Sequence, residues 1–209
     1  MTINKDTALS RRSLLRGTSV LGGGLLLAVN LPRPLAMAAM ESATPVVFSA
    51  SQWATVEALT GRIIPTDHQP GAIEANCVNF IDKTLANEDA QSRPDFMAGL
   101  VSLNSVCRKK LSKPFIELSV DQQDLVLSEL EADTAVAWPN TGPAGSVFFE
   151  LLRALTIMGF MADPKYGGNA NLTGWRVARY PGPRHHQGGY TPAQMLGEEE
   201  IITLWGDKM

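Results

Sequence analysis

The chain has only two cysteines, Cys77 and Cys107, too few to ligate an iron–sulfur cluster or a structural zinc ion. It contains no Cys-x-x-Cys-His run, so covalent haem attachment is excluded. No Gly-x-Gly-x-x-Gly follows a strand-like segment, which removes the dinucleotide fingerprint. Histidine is scarce at 3 residues, and the adjacent pair His185-His186 points apart with no third ligand at a useful spacing, so it reads as an exposed loop pair. No stretch approaches the roughly 20 apolar residues of a membrane-spanning helix. No basic stripe marks a nucleic-acid surface. No segment sustains the period-two alternation of a half-buried strand.

What is present begins at the N-terminus. Ser10-Arg11-Arg12-Ser13-Leu14-Leu15-Arg16 precedes an apolar, glycine-diluted stretch from Val20 to Val29, then Pro32 and the small-residue pattern Ala36-Met37-Ala38. The order of basic, apolar and small-residue regions is that of a twin-arginine signal peptide spanning residues 1–38, with Arg11 and Arg12 as its recognition pair. That route uses the Tat translocase and carries folded proteins. The expected destination is the periplasm, after folding in the cytoplasm. An uncleaved anchor is the alternative, disfavoured by the short, glycine-rich core. Loss of residues 1–38 removes five cations and one anion, so the formal net charge of −3 becomes −7. An acidic mature chain argues against nucleic acid and against docking on anionic lipid.

Residues 39–48 read as a flexible leader, and residues 49–209 as one all-α domain. Ser51 is the expected cap of a helix with Trp53, Val56, Leu59 and Ile63 on one face, stopped by Pro65. A second helix is expected from Gly71, burying Ile73, Cys77, Phe80, Ile81 and Leu85. A third follows Pro94 with Phe96, Leu100, Leu103, Cys107 and Leu111. Ser119 and Gln122 form a capping-box pattern ahead of Leu125, Val126 and Leu130. The fifth helix, Gly145 to Phe160, is the most apolar, with Phe148, Phe149, Leu152, Leu155 and Met158. The fold class is a compact bundle of about five helices. Cys77 and Cys107 fall at similar distances from the turn between helices two and three. They are either a disulfide, worth roughly 3–4 kcal/mol in the chain-entropy model, or two buried thiols.

From Ala162 to Tyr190 glycine and proline are too dense for a regular helix. Four aromatics, Tyr166, Trp175, Tyr180 and Tyr190, argue for a structured loop wrapping the core or a partner. Tyr166-Gly167-Gly168-Asn169 reads as a tight turn after the fifth helix rather than a phosphate cradle. Asp67, beside His68, is expected to cap the next helix rather than to form an acid–base pair. Asp82 is expected to be exposed or paired with Lys83 or a neighbouring chain.

Three segments together carry a resemblance. They are Arg62-Ile63-Ile64-Pro65-Thr66-Asp67 running through Pro70-Gly71-Ala72 to Phe80-Ile81-Asp82; Gly159-Phe160-Met161-Ala162-Asp163-Pro164 with Tyr166-Gly167-Gly168-Asn169; and Gly174-Trp175 with Tyr180-Pro181-Gly182-Pro183. In this order they resemble gluconate 2-dehydrogenase subunit 3, the small chain of membrane-associated flavin-dependent dehydrogenase complexes. The resemblance implies a non-catalytic subunit with no cofactor or metal of its own. It implies as partners a glucose–methanol–choline-type flavoprotein holding FAD and a multihaem cytochrome c holding haem c, peripheral to the cytoplasmic membrane. The small chain would assist assembly and export of the flavoprotein. Tyr166, Asn169, Trp175, Tyr180 and Tyr190 are the expected partner interface, since tryptophan and tyrosine dominate interface hot spots. A free-standing periplasmic ligand-binding protein or enzyme using the glycine-rich loop is the competing reading, and a purely bridging subunit a third.

Overall fold

The computed structural model describes residues 44–183 and 189–206, and their secondary structure is helical. Arg11 and Arg12, the remainder of residues 1–43, and His185-His186 lie outside the described residues. Five long helices form the body: α1 (Ala50–Ile63), α2 (Cys77–Ala86), α3 (Arg93–Leu111), α4 (Val120–Glu131) and α5 (Gly145–Met161). Two five-residue helices follow, α6 (Thr173–Val177) and α7 (Pro192–Leu196). The all-α bundle expected from periodicity is the fold.

Local chemistry explains where the helices begin. The Ser119 hydroxyl accepts from the Gln122 amide while the Gln122 side chain accepts from the Ser119 amide, the reciprocal box expected for α4. The same box starts α1, but at Ser49 with Gln52 rather than at Ser51, which lies inside the helix. α2 begins at Cys77, not at Gly71. Residues 72–76 wind as turns ending in Asn76 at φ 54°, so Ile73 faces solvent instead of the core. Leu125 and Met158, also expected inside, are exposed on the outer faces of α4 and α5.

α5 is the hub, packing against α1, α2, α3, α4 and α6. Its Phe148 meets Phe96 of α3 edge-on at 5.6 Å, and Phe96 meets Phe48 at 5.9 Å. Burying such rings contributes on the order of 1.5–3 kcal/mol each. Arg62 of α1 donates from Nε and Nη2 to both carboxylate oxygens of Asp124 on α4, at 2.8 and 3.0 Å. This forked geometry fixes the two helices more firmly than a single exposed pair would.

Phe48 is buried, so the leader expected over residues 39–48 stops being free before its end. The cause is Asp82, only 1 % exposed on α2. Its carboxylate accepts three consecutive backbone amides, from Val46 at 2.6 Å, Val47 at 2.9 Å and Phe48 at 2.8 Å. The expectation of an exposed Asp82 is therefore corrected. Three charge-assisted hydrogen bonds offset its desolvation and tie the chain's entry into the domain to the middle of α2.

Cys77 and Cys107 are free, buried thiols in two different apolar clusters, so the structure takes the second of the two readings left open for them. Burial pushes Cys77 up to about 12 and Cys107 up to about 11, leaving both protonated at neutral pH.

Candidate functional site

The segment after α5 is built on buried polar side chains. The chain passes through a single 3₁₀ turn at Pro164–Tyr166 and an irregular turn at Ala170–Leu172, where Asn171 has φ 55°, into α6. Tyr166-Gly167-Gly168-Asn169 is the expected tight turn, and Asn169 is its centre. Its Oδ1 accepts from the Gly174 amide at 2.8 Å, and its Nδ2 donates to the Ala162 carbonyl at 2.9 Å. Its backbone amide donates to Gly159 in α5 at 2.8 Å, and the next amide, of Ala170, donates to Ala75 at 3.0 Å. Asn79 of α2 donates to the Gly167 carbonyl at 2.7 Å. Two glycines permit this approach: a Cβ at Gly168 would lie 2.2 Å from the Gly159 oxygen, and one at Gly174 would lie 1.7 Å from the Phe160 oxygen. Asn169, Asn171 and Leu172 all have positive φ; for Leu172 this conformation is strained, and its complete burial offsets the cost.

This arrangement corrects two of the five interface candidates. Asn169 is fully buried, and Trp175 is 3 % exposed with its indole N–H donating to the Met161 carbonyl at 2.7 Å. Both hold the loop onto α5 and present little to a partner. Tyr166, at 43 % exposed, and Tyr190 are open to solvent. Tyr180 is half-buried, meets Trp175 edge-on at 5.1 Å, and has its hydroxyl pushed up to about 12, first by burial and then by its hydrogen bond with Tyr190. The expected absence of regular helix between Ala162 and Tyr190 is corrected by the five residues of α6.

Asp163, within the second of the three segments, is a further anchor of the loop. It is buried; Oδ1 accepts the Lys165 amide at 3.1 Å and Oδ2 the Leu204 amide at 2.9 Å, 41 residues on. The C-terminal arm is thus pinned to the end of α5, and Lys165 Nζ lies 3.4 Å from the ring centre of Trp205. The sequence signal was Asp163-Pro164 itself, an Asx turn with a spare carboxylate oxygen.

Between α6 and the arm runs a groove of about 640 Å³. Arg176, Arg179, Tyr180 and Pro181 line one side; Met195, Leu196, Glu199 and Glu200 line the other. Among the described residues neither arginine forms an ion pair. Among the described residues no group of three or more His, Cys, Asp or Glu side chains is placed to hold a metal ion. No described helix is long and apolar enough to cross a membrane. His68 Nδ1 lies 3.1 Å from Asp67 Oδ1, both well exposed. Asp67 does not cap α2 as expected; it accepts the Gln69 amide in a local turn.

The first of the three sequence segments has a structural reason as well. Glu74 accepts from the Thr66 hydroxyl at 2.7 Å and the Gly71 amide at 2.8 Å, and the Ala72 amide donates to the Ile64 carbonyl at 2.9 Å. The link from α1 to α2 is closed on itself by residues of that motif. Residues 50–182, from the first residue of α1 to the glycine after Pro181, match the family described as Gluconate 2-dehydrogenase subunit 3. The chain belongs to the gluconate 2-dehydrogenase subunit 3 family. Comparison with curated proteins and with solved structures gives no match. The family assignment makes this chain a subunit of a multi-subunit complex, and its matched part comprises α1 to α6 with the clamped loop.

Proposed function

We propose that the protein is the small, non-catalytic subunit of a periplasmic, FAD-dependent sugar-acid or polyol dehydrogenase complex, which assists assembly and Tat export of the flavoprotein subunit. The single observation that carries this reading is the family match over 50–182, lying behind the Arg11-Arg12 signal sequence. In this account the domain folds in the cytoplasm and binds the FAD-loaded large subunit. The signal on this chain then serves both proteins. Electrons leave the flavin for a cytochrome c subunit bearing haem c, and none of these steps requires a reacting group on this chain. The mature complex is held at the periplasmic face of the cytoplasmic membrane.

The rigid attachment of both ends of the domain supports this role. Asp82 fixes the segment that follows the signal, and Asp163 fixes the C-terminal arm. A partner therefore meets a preorganised surface, which lowers the ordering cost of association. The reading is tested by affinity purification of the tagged full chain from its native membranes. The expected result is a stoichiometric second polypeptide with the absorbance of an oxidised flavin. A colourless monomer at every salt concentration would overturn it.

A further inference from the structure

The arm from Tyr190 to Gly206 is attached near its two ends and stands off the body between them. At one end the Tyr190 hydroxyl donates to the Gly182 carbonyl at 2.9 Å. At the other, Thr203 is buried and the Leu204 amide is held by Asp163. α7, lying between these pins, contributes no buried residue. The groove described above passes beneath it, with cations on the body wall and carboxylates on the arm wall.

We propose that this groove receives a polypeptide segment of the flavoprotein subunit. That segment would carry a carboxylate for Arg176 and Arg179, a cation for Glu199 and Glu200, and apolar side chains against Met195 and Leu196. The inference rests on the subunit reading above and adds the docking surface. Charge complementarity selects the occupant. Arg176 and Arg179 are cations without an ion-pair partner among the described residues, in a mature chain of net charge −7. A small anion would neutralise them yet leave Met195 and Leu196, 57 % and 73 % exposed, in water. Ile202, Leu204 and Trp205 are further exposed apolar side chains of the same arm, more than a small ion would cover. An anionic bilayer would meet Glu198, Glu199 and Glu200, and a second copy would bring the same net negative charge. The arm lies beyond residues 50–182, so its contacts are not part of what the family match conveys.

The test uses the full chain co-expressed with the flavoprotein that it purifies with. A photoreactive phenylalanine analogue replaces Leu196 in one preparation and Val101, exposed on α3, in another. The expected result is a cross-link to the flavin-bearing polypeptide from position 196 and none from position 101. In the same system Arg176→Glu with Arg179→Glu weakens association about tenfold or more, with the helical circular dichroism unchanged, and added salt weakens the unaltered complex. If the unaltered chain brings no flavoprotein, the subunit reading and this one fall together. If it does, and the double reversal binds equally well or position 196 cross-links only to a second copy of this chain, the groove assignment alone is overturned.

Discussion

At the scale of single residues, the two buried carboxylates matter most. Asp82 and Asp163 are both buried, where an unpaired charge would cost several kcal/mol. Three distant backbone amides converge on Asp82, and Asp163 accepts one distant amide, of Leu204, beside the local one of Lys165. Asp82→Ala leaves the three amides of Val46, Val47 and Phe48 without their acceptor. The expected loss of unfolding free energy in urea is about 3 kcal/mol or more, with Asp82→Asn intermediate; a loss under about 0.5 kcal/mol would contradict the assignment. Trp175→Ala belongs with it, at about 3–5 kcal/mol, because the indole fills the core rather than a partner's pocket. Neither residue could be placed from local spacing. Asp82 stands between Val78 and Leu85 on a helix whose neighbours are apolar, but its donors lie 34 to 36 residues earlier. An aromatic in a glycine-rich stretch is equally compatible with interface and core until the indole N–H has a partner.

At the scale of elements, the link between α1 and α2 offers a test in pH. Glu74 is drawn below its ordinary value of 4.5: burial opposes the shift, but hydrogen bonds from the Thr66 hydroxyl, the Gly71 amide and its own amide outweigh it. A carboxylate with a lowered folded-state pKa stabilises the fold above the unfolded-state value and loses that contribution as pH falls through the folded one. Melting temperatures of the natural chain should therefore drop more steeply below about pH 4.5 than those of Glu74→Gln. A constant difference between the two at every pH would contradict this account. The elements were the most legible part of the sequence. Four- and three-residue spacing located α1, α2, α3 and α5, and the Ser119–Gln122 box gave the start of α4 to the residue. What failed was detail that neighbours decide. Ser49 and Ser51 are both serines, and only the glutamine three residues after Ser49 selects it. Gly71 has the sequence look of a helix start, whereas Glu74 holds the Thr66–Gly71 link and the chain winds through turns as far as Asn76. Leu125 lies beside Val126, and periodicity alone does not say which of the two faces α5.

At the scale of the whole molecule, the family was legible because its three segments are those that close the α1–α2 link, turn the chain after α5 and seat α6. Glycines and polar side chains at such places are tightly constrained by backbone contact. The groove was not legible. Its walls come from α6 and from an arm that Asp163 draws back over 41 residues, a pairing without a local sequence signature. In the proposed function, the signal on this chain exports a partner along with it. The most direct measurement is the location of the flavoprotein in cells expressing Arg11→Lys with Arg12→Lys. The expected result is that the flavoprotein, with its dehydrogenase activity, accumulates in the cytoplasm bound to the unexported small subunit. A flavoprotein that reaches the periplasm at its usual level while this chain stays behind would contradict it.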